Sequence, residues 1–499
     1  MKSYEGLYLK DTSYTNKFRR CNLIVALCRK NNGIGLNNSI PWHIKDDLKQ
    51  FKKITTHINS DNTIIKNVVI MGRKTWDSIP EKFKPLSDRI NIIITKNVIE
   101  SKYKDTYFFN NYDSIFRFIA SKNINEIFII GGSQIYEHFL SHDLVDKLYI
   151  TEIYNEFECD RFFPSIDQTK FKITNVSNFK KENDIHFRYI TYNNINNIKD
   201  NQHLTFWKNK EEELYLQTLN KIISEGIETN DRTGVGTYSI FGEKFEYDIS
   251  DTIPALTTKR IFFRGIFEEL MLYISGKTDN SILNEKNIHI WDGNTTREFL
   301  DKRNLSHYPE NDMGETYGFN FRHYGETYKT CKDDYTNKGF DQLSYVIDLI
   351  KHNPNSRRII INLWNPATMH KAALPACLCF YQFYVDTKNK KLNLQIYIRS
   401  SDFFLANNWN TVTGALLVYM ICNLKDVHLT PGILKLITGD THIYSNHLTQ
   451  VKENLKRTPK PFPKLIIKET KETIEDYCFE DFKLIGYYPD KNINAPMAV

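Results

Sequence analysis

Val68-Val69-Ile70-Met71 is an unbroken apolar run of mostly β-branched residues, and how it is read decides the fold of the first third of the chain. It has companions on both sides: Leu23-Ile24-Val25-Ala26 before it, then Ile90-Asn91-Ile92-Ile93-Ile94 and Ile127-Phe128-Ile129-Ile130 after it. Polar, helix-like stretches separate these runs. Short strands alternating with helices predict a mostly parallel, doubly wound α/β sheet over residues 22–192. The last run, Phe187 to Tyr192, leads into an Asn-rich polar stretch, 193–209, which lacks hydrophobic periodicity and is the expected linker. From 210 to 499 the pattern changes. Glu211 to Ile223 reads as an amphipathic helix, Leu378 to Val385 as a strand and Gly414 to Asn423 as helix, so this second domain is expected to be α+β. Residues 1–21 form an N-terminal extension.

Composition bounds the function only loosely. At 499 residues the chain exceeds what one hydrophobic core supports, so two or three domains are expected. Lys and Arg outnumber Asp and Glu by 66 to 60, a net charge of +6. That excess is too small to argue for a nucleic-acid or membrane partner, and it suits small anionic substrates equally well. The eight cysteines are scattered apart from Cys377-Leu378-Cys379, showing neither a zinc pattern nor a disulfide framework. Reduced thiols, no apolar run near the roughly 18 residues of a membrane span and no signal-peptide-like start predict a soluble, cytoplasmic protein.

In the N-terminal part, Ile40-Pro41-Trp42 is followed by Asp47, Leu48 and Phe51, a helical spacing that lines a carboxylate and apolar side chains along one wall. With Val69 to Trp76, Ser78-Ile79-Pro80, Arg89, Ile130-Gly131-Gly132, Tyr136 and Thr151, this series resembles dihydrofolate reductase. The resemblance implies that Asp47 is the catalytic acid, a buried carboxylate that accepts hydrogen bonds from a pterin and whose raised pKa assists protonation near N5. It implies a folate site of Ile40, Trp42, Asp47, Phe51, Arg89 and Thr151, with the Arg89 fork on the glutamate carboxylate. NADPH is the implied cofactor, held by Ala26, Gly72, Arg73, Lys74, Thr75, Thr95, Lys96, Gly131, Gly132 and Tyr136.

In the C-terminal part, arginines stand in Asp231-Arg232-Thr233-Gly234, Ser356-Arg357-Arg358 and Arg399-Ser400, suited to a phosphate dianion. With Ala373 to Cys377, Gln382 to Val385, Arg399 to Asp402 and Gly439 to Tyr444, they resemble thymidylate synthase. The resemblance implies a Cys377 thiolate that attacks C6 of dUMP, with Glu269 organising proton transfers and Tyr317 assisting removal of the C5 proton. It implies a dUMP site of Arg232, Arg357, Arg358, Arg399, Ser400, Asn410, His442 and Tyr444. The co-substrate 5,10-methylenetetrahydrofolate would meet Asp402, Trp291 and, through its polyglutamate tail, Lys259. Arg357 and Arg358 would reach across a two-fold axis, so a homodimer through this domain is expected. The ending Ala495 to Val499 also matches, with a terminal carboxylate that closes the site. No metal is implied.

Together the two resemblances imply one chain that makes dihydrofolate and reduces it again, as in the bifunctional enzymes of protists and plants. The synthase half departs from its family at Ala376, where a proline is usual, at Leu378 (histidine), Ile398 (glutamine) and Leu272 (tryptophan), and at Ala406-Asn407-Asn408-Trp409 (Gly-x-Pro-Phe). These changes support an alternative, an active reductase fused to a weakened synthase-like dimerisation scaffold. A nucleotide- or RNA-binding regulator that retains the folds has only the slight positive charge in its favour.

Overall fold

The computed structural model describes residues 20–58, 65–97, 99–197, 205–230 and 234–497. The chain divides into two compact units, Met1–Trp207 and Lys208–Val499. Most of the N-terminal extension lies outside the described residues.

The first unit is built on strands β1 (Cys21–Cys28), β2 (Lys66–Gly72), β3 (Arg89–Ile94), β4 (Thr106–Phe109), β5 (Ile124–Gly131), β6 (Val145–Ile153) and β7 (Ile185–Asn194). Their order across the sheet is β7-β6-β1-β5-β2-β3-β4. Only β7 in this series runs antiparallel to its neighbour. The Val68–Met71 run shows why its strand carries no polar alternation. Val68 and Ile70 pack with Leu23, Val25, Ile127 and Ile129, whereas Val69 and Met71 pack with Trp76, Ile93, Phe108 and Phe128. Both faces of a parallel sheet are covered, so both sets of side chains must be apolar. Helices α1 (Lys45–Thr56), α2 (Arg73–Ser78), α3 (Tyr112–Ala120) and α4 (Ser133–Ser141) supply those covers.

The polar stretch expected as linker begins inside the sheet. β7 runs through Asn193 and Asn194, both buried, and Asn194 Nδ2 donates to the Val145 carbonyl at 3.0 Å. Trp207 N donates to Ile173 O at 2.9 Å, which ties the far end of the stretch to the same sheet. Asparagine amides that are satisfied by backbone partners can enter a strand despite their low strand preference.

The second unit carries α5 (Lys210–Glu225), β8 (Thr237–Asp248), α6 (Phe263–Ile274), α7 (Tyr317–Arg322), β9 (Ile360–Asn362), β10 (Leu378–Asp386), β11 (Lys391–Asp402), α8 (Asn407–Cys422) and β12 (Thr430–Tyr444). The strands follow the order β8-β12-β11-β10-β9, with β11 and β12 parallel and the other pairs antiparallel. Helix α8 is buried almost all round, as a central core helix must be. Gly414 lets it lie against β11, because a Cβ there would stand 2.5 Å from Ile396 Cδ1. The helix starts at Asn407, seven residues before the run that reads as helix, because its polar first turn is held by tertiary contacts. Asn408 Nδ2 donates to Pro254 O at 2.8 Å, and its Oδ1 accepts from Leu256 N at 3.3 Å.

Candidate active sites

In the first unit, α1 carries Asp47 to the sheet at the centre of three adjacent strands. Thr151 of β6 lies in register with Ala26 of β1 on one side and Tyr189 of β7 on the other. Its hydroxyl donates to Asp47 Oδ1 at 2.6 Å. Burial raises the pKa of Asp47 and neighbouring Asp46 adds to the rise, while the Thr151 bond opposes it. Trp42 is buried against Phe157 at a ring distance of 5.4 Å, and Ile40 is exposed. Further along α1, Phe51 lies under the Arg89 guanidinium, 5.6 Å from the ring centroid. Arg89 is fixed by two bonds, Nε to Ser87 O at 2.9 Å and one Nη to Thr55 Oγ1 at 2.7 Å. Its planar fork is thereby oriented before any ligand arrives.

The strand ends hold the residues expected at the cofactor. Gly131, with φ +120, closes β5 and lies against the Tyr136 ring, whose hydroxyl would be 3.2 Å from a Cβ at this position. The Tyr136 hydroxyl itself donates to Ile24 O at 2.9 Å. Gly132 caps α4, and a Cβ there would face Thr75 Oγ1 at 3.4 Å. The next residue, Ser133, has a buried hydroxyl without a protein partner. Gly72 opens α2, where Arg73 pairs with Asp77 at 2.9 Å and Lys74 is exposed. Thr95 N donates to Phe109 O at 2.8 Å, and Lys96 beside it is exposed.

In the second unit the loop that carries Cys377 is held from two sides. Cys377 N donates to the Tyr317 hydroxyl at 2.8 Å. Arg399 Nε donates to Ala376 O at 2.9 Å, and one of its Nη atoms donates to Pro375 O at 3.1 Å. The Arg399 guanidinium also lies 5.1 Å from the Trp364 ring centroid. Burial pushes the Tyr317 phenol well above its ordinary pKa, with the Cys377 side chain as a further raising influence. Beside Arg399 and Ser400, β12 brings Asp440 level with Ser400 and His442 level with Asp402. His442 Nδ1 and Asp440 Oδ1 are 2.6 Å apart, and this bond holds the Asp440 carboxyl below its usual range. The His442 and Tyr444 rings meet edge to face at 5.3 Å.

Glu269 on α6 is almost fully enclosed. Trp291 Nε1 donates to its Oε1 at 2.8 Å, and Trp409 Nε1 donates to its Oε2 at 2.7 Å. Tyr273, one turn along α6, is a further hydrogen-bonding neighbour. Burial raises the Glu269 pKa, and these donors act against the rise. Asn410 stands next to Trp409 on the first turns of α8, partly buried, and Asp402 Oδ1 accepts from Leu405 N at 3.1 Å.

Three expected site residues stand apart. Lys259 does not point to the surface: it is buried, donates to the Phe404 carbonyl, and burial pushes its pKa down to about 8. Arg357 and Arg358 are exposed just before β9. Because Ile360 pairs with Gln382 and Asn362 with Phe380, these arginines lie toward the Val385 end of β10, away from Cys377. At about 3.3 Å per residue the separation along the strand is roughly 25 Å. Arg232 and Val499 lie outside the described residues. Sequence reasoning passed over His447, whose Nε2 donates to Pro496 O at 2.7 Å while its ring packs edge-on against Tyr444 at 5.6 Å. It also passed over Tyr273, and it read Trp409 only as a departure. Nothing local to those positions signals their contacts.

Two of the departures form a pair. Leu378 and Ile398 face each other in register across β10 and β11, and both are buried. One apolar cross-strand pair therefore stands where two polar residues are usual, and replacing both members of a polar pair leaves neither unsatisfied. Ala376 is buried, and its carbonyl still serves Arg399.

Each unit thus carries the fold and the convergent polar groups of a folate-dependent enzyme, and family comparisons divide the chain the same way. Residues 21–194 match the dihydrofolate reductase family and residues 213–499 the thymidylate synthase family. The chain is 40% identical to a bifunctional dihydrofolate reductase-thymidylate synthase of Paramecium tetraurelia, over 94% of this chain and 97% of that one. It is 38% identical to the Zea mays enzyme of the same name, over 95% and 96%, and 38% identical to enzyme 1 of Arabidopsis thaliana, over 98% of each. The chain belongs to the bifunctional dihydrofolate reductase-thymidylate synthases. No helix among the described residues is long and apolar enough to cross a membrane.

Proposed function

We propose that the first unit reduces dihydrofolate to tetrahydrofolate at Asp47, and that the second methylates dUMP at Cys377 with 5,10-methylenetetrahydrofolate. Both activities follow from family membership; the assignment of residues is our reading. The observation that carries it is the doubly held nucleophile loop, with Tyr317 on the Cys377 amide and Arg399 on the two carbonyls before it.

The Cys377 thiolate adds to C6 of dUMP, which makes C5 nucleophilic toward the folate methylene carbon. The C5 proton then leaves toward Tyr317 and water ordered by Glu269. Loss of that proton breaks the bond between the methylene carbon and N5 and frees tetrahydrofolate, whose hydride then reduces the C5 methylene to methyl as the thiolate is expelled, leaving dihydrofolate. Arg399 and Ser400 hold the phosphate, His442 and Tyr444 the ribose, and Asn410 the uracil edge.

In the first unit Asp47 accepts from the pterin and, with its raised pKa, supports protonation near N5. Arg89 receives the glutamate carboxylate. NADPH fits the Gly131-Gly132 turn, where the backbone is uncovered by any Cβ and the orphaned Ser133 hydroxyl opens α4. Arg73, Lys74, Thr75, Thr95 and Lys96 would hold its phosphates, with Ala26, Gly72 and Tyr136 lining the path. When bound, NADPH supplies the hydride.

A second subunit completes the synthase site. The register of β9 on β10 carries Arg357 and Arg358 away from their own Cys377, which supports donation to a neighbouring site across a two-fold axis. The outward side of β10, where Tyr384 is exposed and Phe380 half-buried, suits such an interface. Eight scattered cysteines with no disulfide-framework spacing favour a reducing, cytoplasmic setting. The test is tritium release from [5-³H]dUMP by wild type and Cys377→Ala, with NADPH-dependent dihydrofolate reduction followed on the same preparations. Release that survives Cys377→Ala overturns the assignment.

A further inference from the structure

Trp409 is the departure in the synthase half that touches a reacting group's partner directly. It stands where phenylalanine is usual, a residue with no donor, yet its indole N–H lies 2.7 Å from Glu269 Oε2. The other carboxylate oxygen is taken by the Trp291 indole at 2.8 Å. Two rigid, single-donor side chains from elements 22 and 140 residues distant along the chain therefore hold the plane of one carboxylate. The Trp409 ring is itself fixed: it sits against the α6 backbone, where a Cβ on Gly265 would come within 2.8 Å of its Cη2, and it meets Phe262 edge-on at 6.5 Å. A tryptophan usual at 272, one turn from Glu269 on α6, is a leucine here. An indole is thus absent from one side of the acid and present, with a hydrogen bond, on another.

We infer that Trp409 is a positioning residue of the synthase reaction, which orients Glu269 and stabilises its ionised form through the indole N–H. The inference rests on the proposed proton-relay role of Glu269. A charge-assisted hydrogen bond from a neutral donor favours the carboxylate over the acid. It also removes the freedom of a buried side chain whose ordered geometry the proton transfers require. On this account Trp409 is a compensating feature of the site.

The experiment uses the full-length enzyme and compares wild type, Trp409→Phe and Glu269→Gln by tritium release from [5-³H]dUMP across pH. Trp409→Phe keeps an aromatic ring and removes only the donor. Its kcat should fall about tenfold with little change in KM for dUMP, the effect of losing one hydrogen bond to a charged group. The acid limb of its pH profile should move to higher pH, a displacement that a purely packing role would not produce. Unchanged kcat and an unmoved limb in Trp409→Phe, while Glu269→Gln is inactive, overturn the inference and leave the role of Glu269 standing. Full activity in Glu269→Gln overturns the proposed relay itself. Should Trp409→Phe fail to fold, indole N–H resonances decide the matter in chains that retain Trp409. Of the six tryptophans, two should shift between wild type and Glu269→Gln, and a shift of the Trp291 signal alone overturns the inference.

Discussion

The two acids at the centre of the two sites are held in opposite ways. Asp47 sits on the first turn of a helix with one side-chain donor, Thr151, on one of its oxygens. Glu269 is enclosed, and both of its oxygens are taken by indoles. Burial raises the pKa of each. An acid that must bind the edge of a substrate keeps hydrogen-bonding capacity for it, whereas an acid that works through ordered water is best fixed by the protein. Asp47 and Glu269 are both named by the sequence resemblance, but the groups that hold them, Thr151 for the first and the two indoles for the second, come from elsewhere in the chain.

The largest test of this contrast separates the two units. Cys377→Ala should lower methylation by roughly 10⁴-fold or more, because nothing else supplies the nucleophile, while leaving dihydrofolate reduction intact. Parallel assays on one preparation check it, and a reductase loss of similar size would break the separation. Asp47→Asn should lower reduction by about 10²- to 10⁴-fold, the range for a positioned acid, with methylation unchanged.

A smaller effect probes the single donor on Asp47. Since burial raises its pKa, the protonated form persists to higher pH than for an ordinary carboxyl, and reduction should decline as pH rises through that value. Thr151→Val removes a bond that favours the ionised form. The pKa should then rise further, and the declining limb of the kcat/KM profile should move up by about one pH unit. A downward move would contradict the account. The smallest effect concerns Leu378 and Ile398. Leu378→His alone buries a polar ring opposite Ile398 and should cost about 1–3 kcal/mol of stability, measured by chemical denaturation of the synthase unit. Adding Ile398→Gln should recover part of that loss, because the two positions are cross-strand partners.

Much of the fold could be read before the structure. Val68–Met71 announced a strand covered on both faces, and it packs into two clusters. Other features depended on contacts that no local window contains. Asn193 and Asn194 read as linker but complete β7, because Thr174 and Val145 satisfy their amides. The helix read from Gly414 begins at Asn407, because Pro254 and Leu256 hold Asn408 in its first turn. Lys259, expected at the polyglutamate tail, is buried and donates to the Phe404 carbonyl. In each case a polar residue found a tertiary partner, and the partner overrode its local preference.

By itself the sequence determined the two families and the order of the units, since their motifs recur in order along the chain, and the resemblance offered candidates for nucleophile, acids and phosphate-binding arginines. Only the tertiary structure decided that Leu378 and Ile398 are one change rather than two, that Arg357 and Arg358 lie far from their own Cys377, and that Trp409 reaches Glu269. Strand register and the packing of α8 against α6 settle those points. Both arise from the simultaneous burial of many side chains, which no short segment encodes.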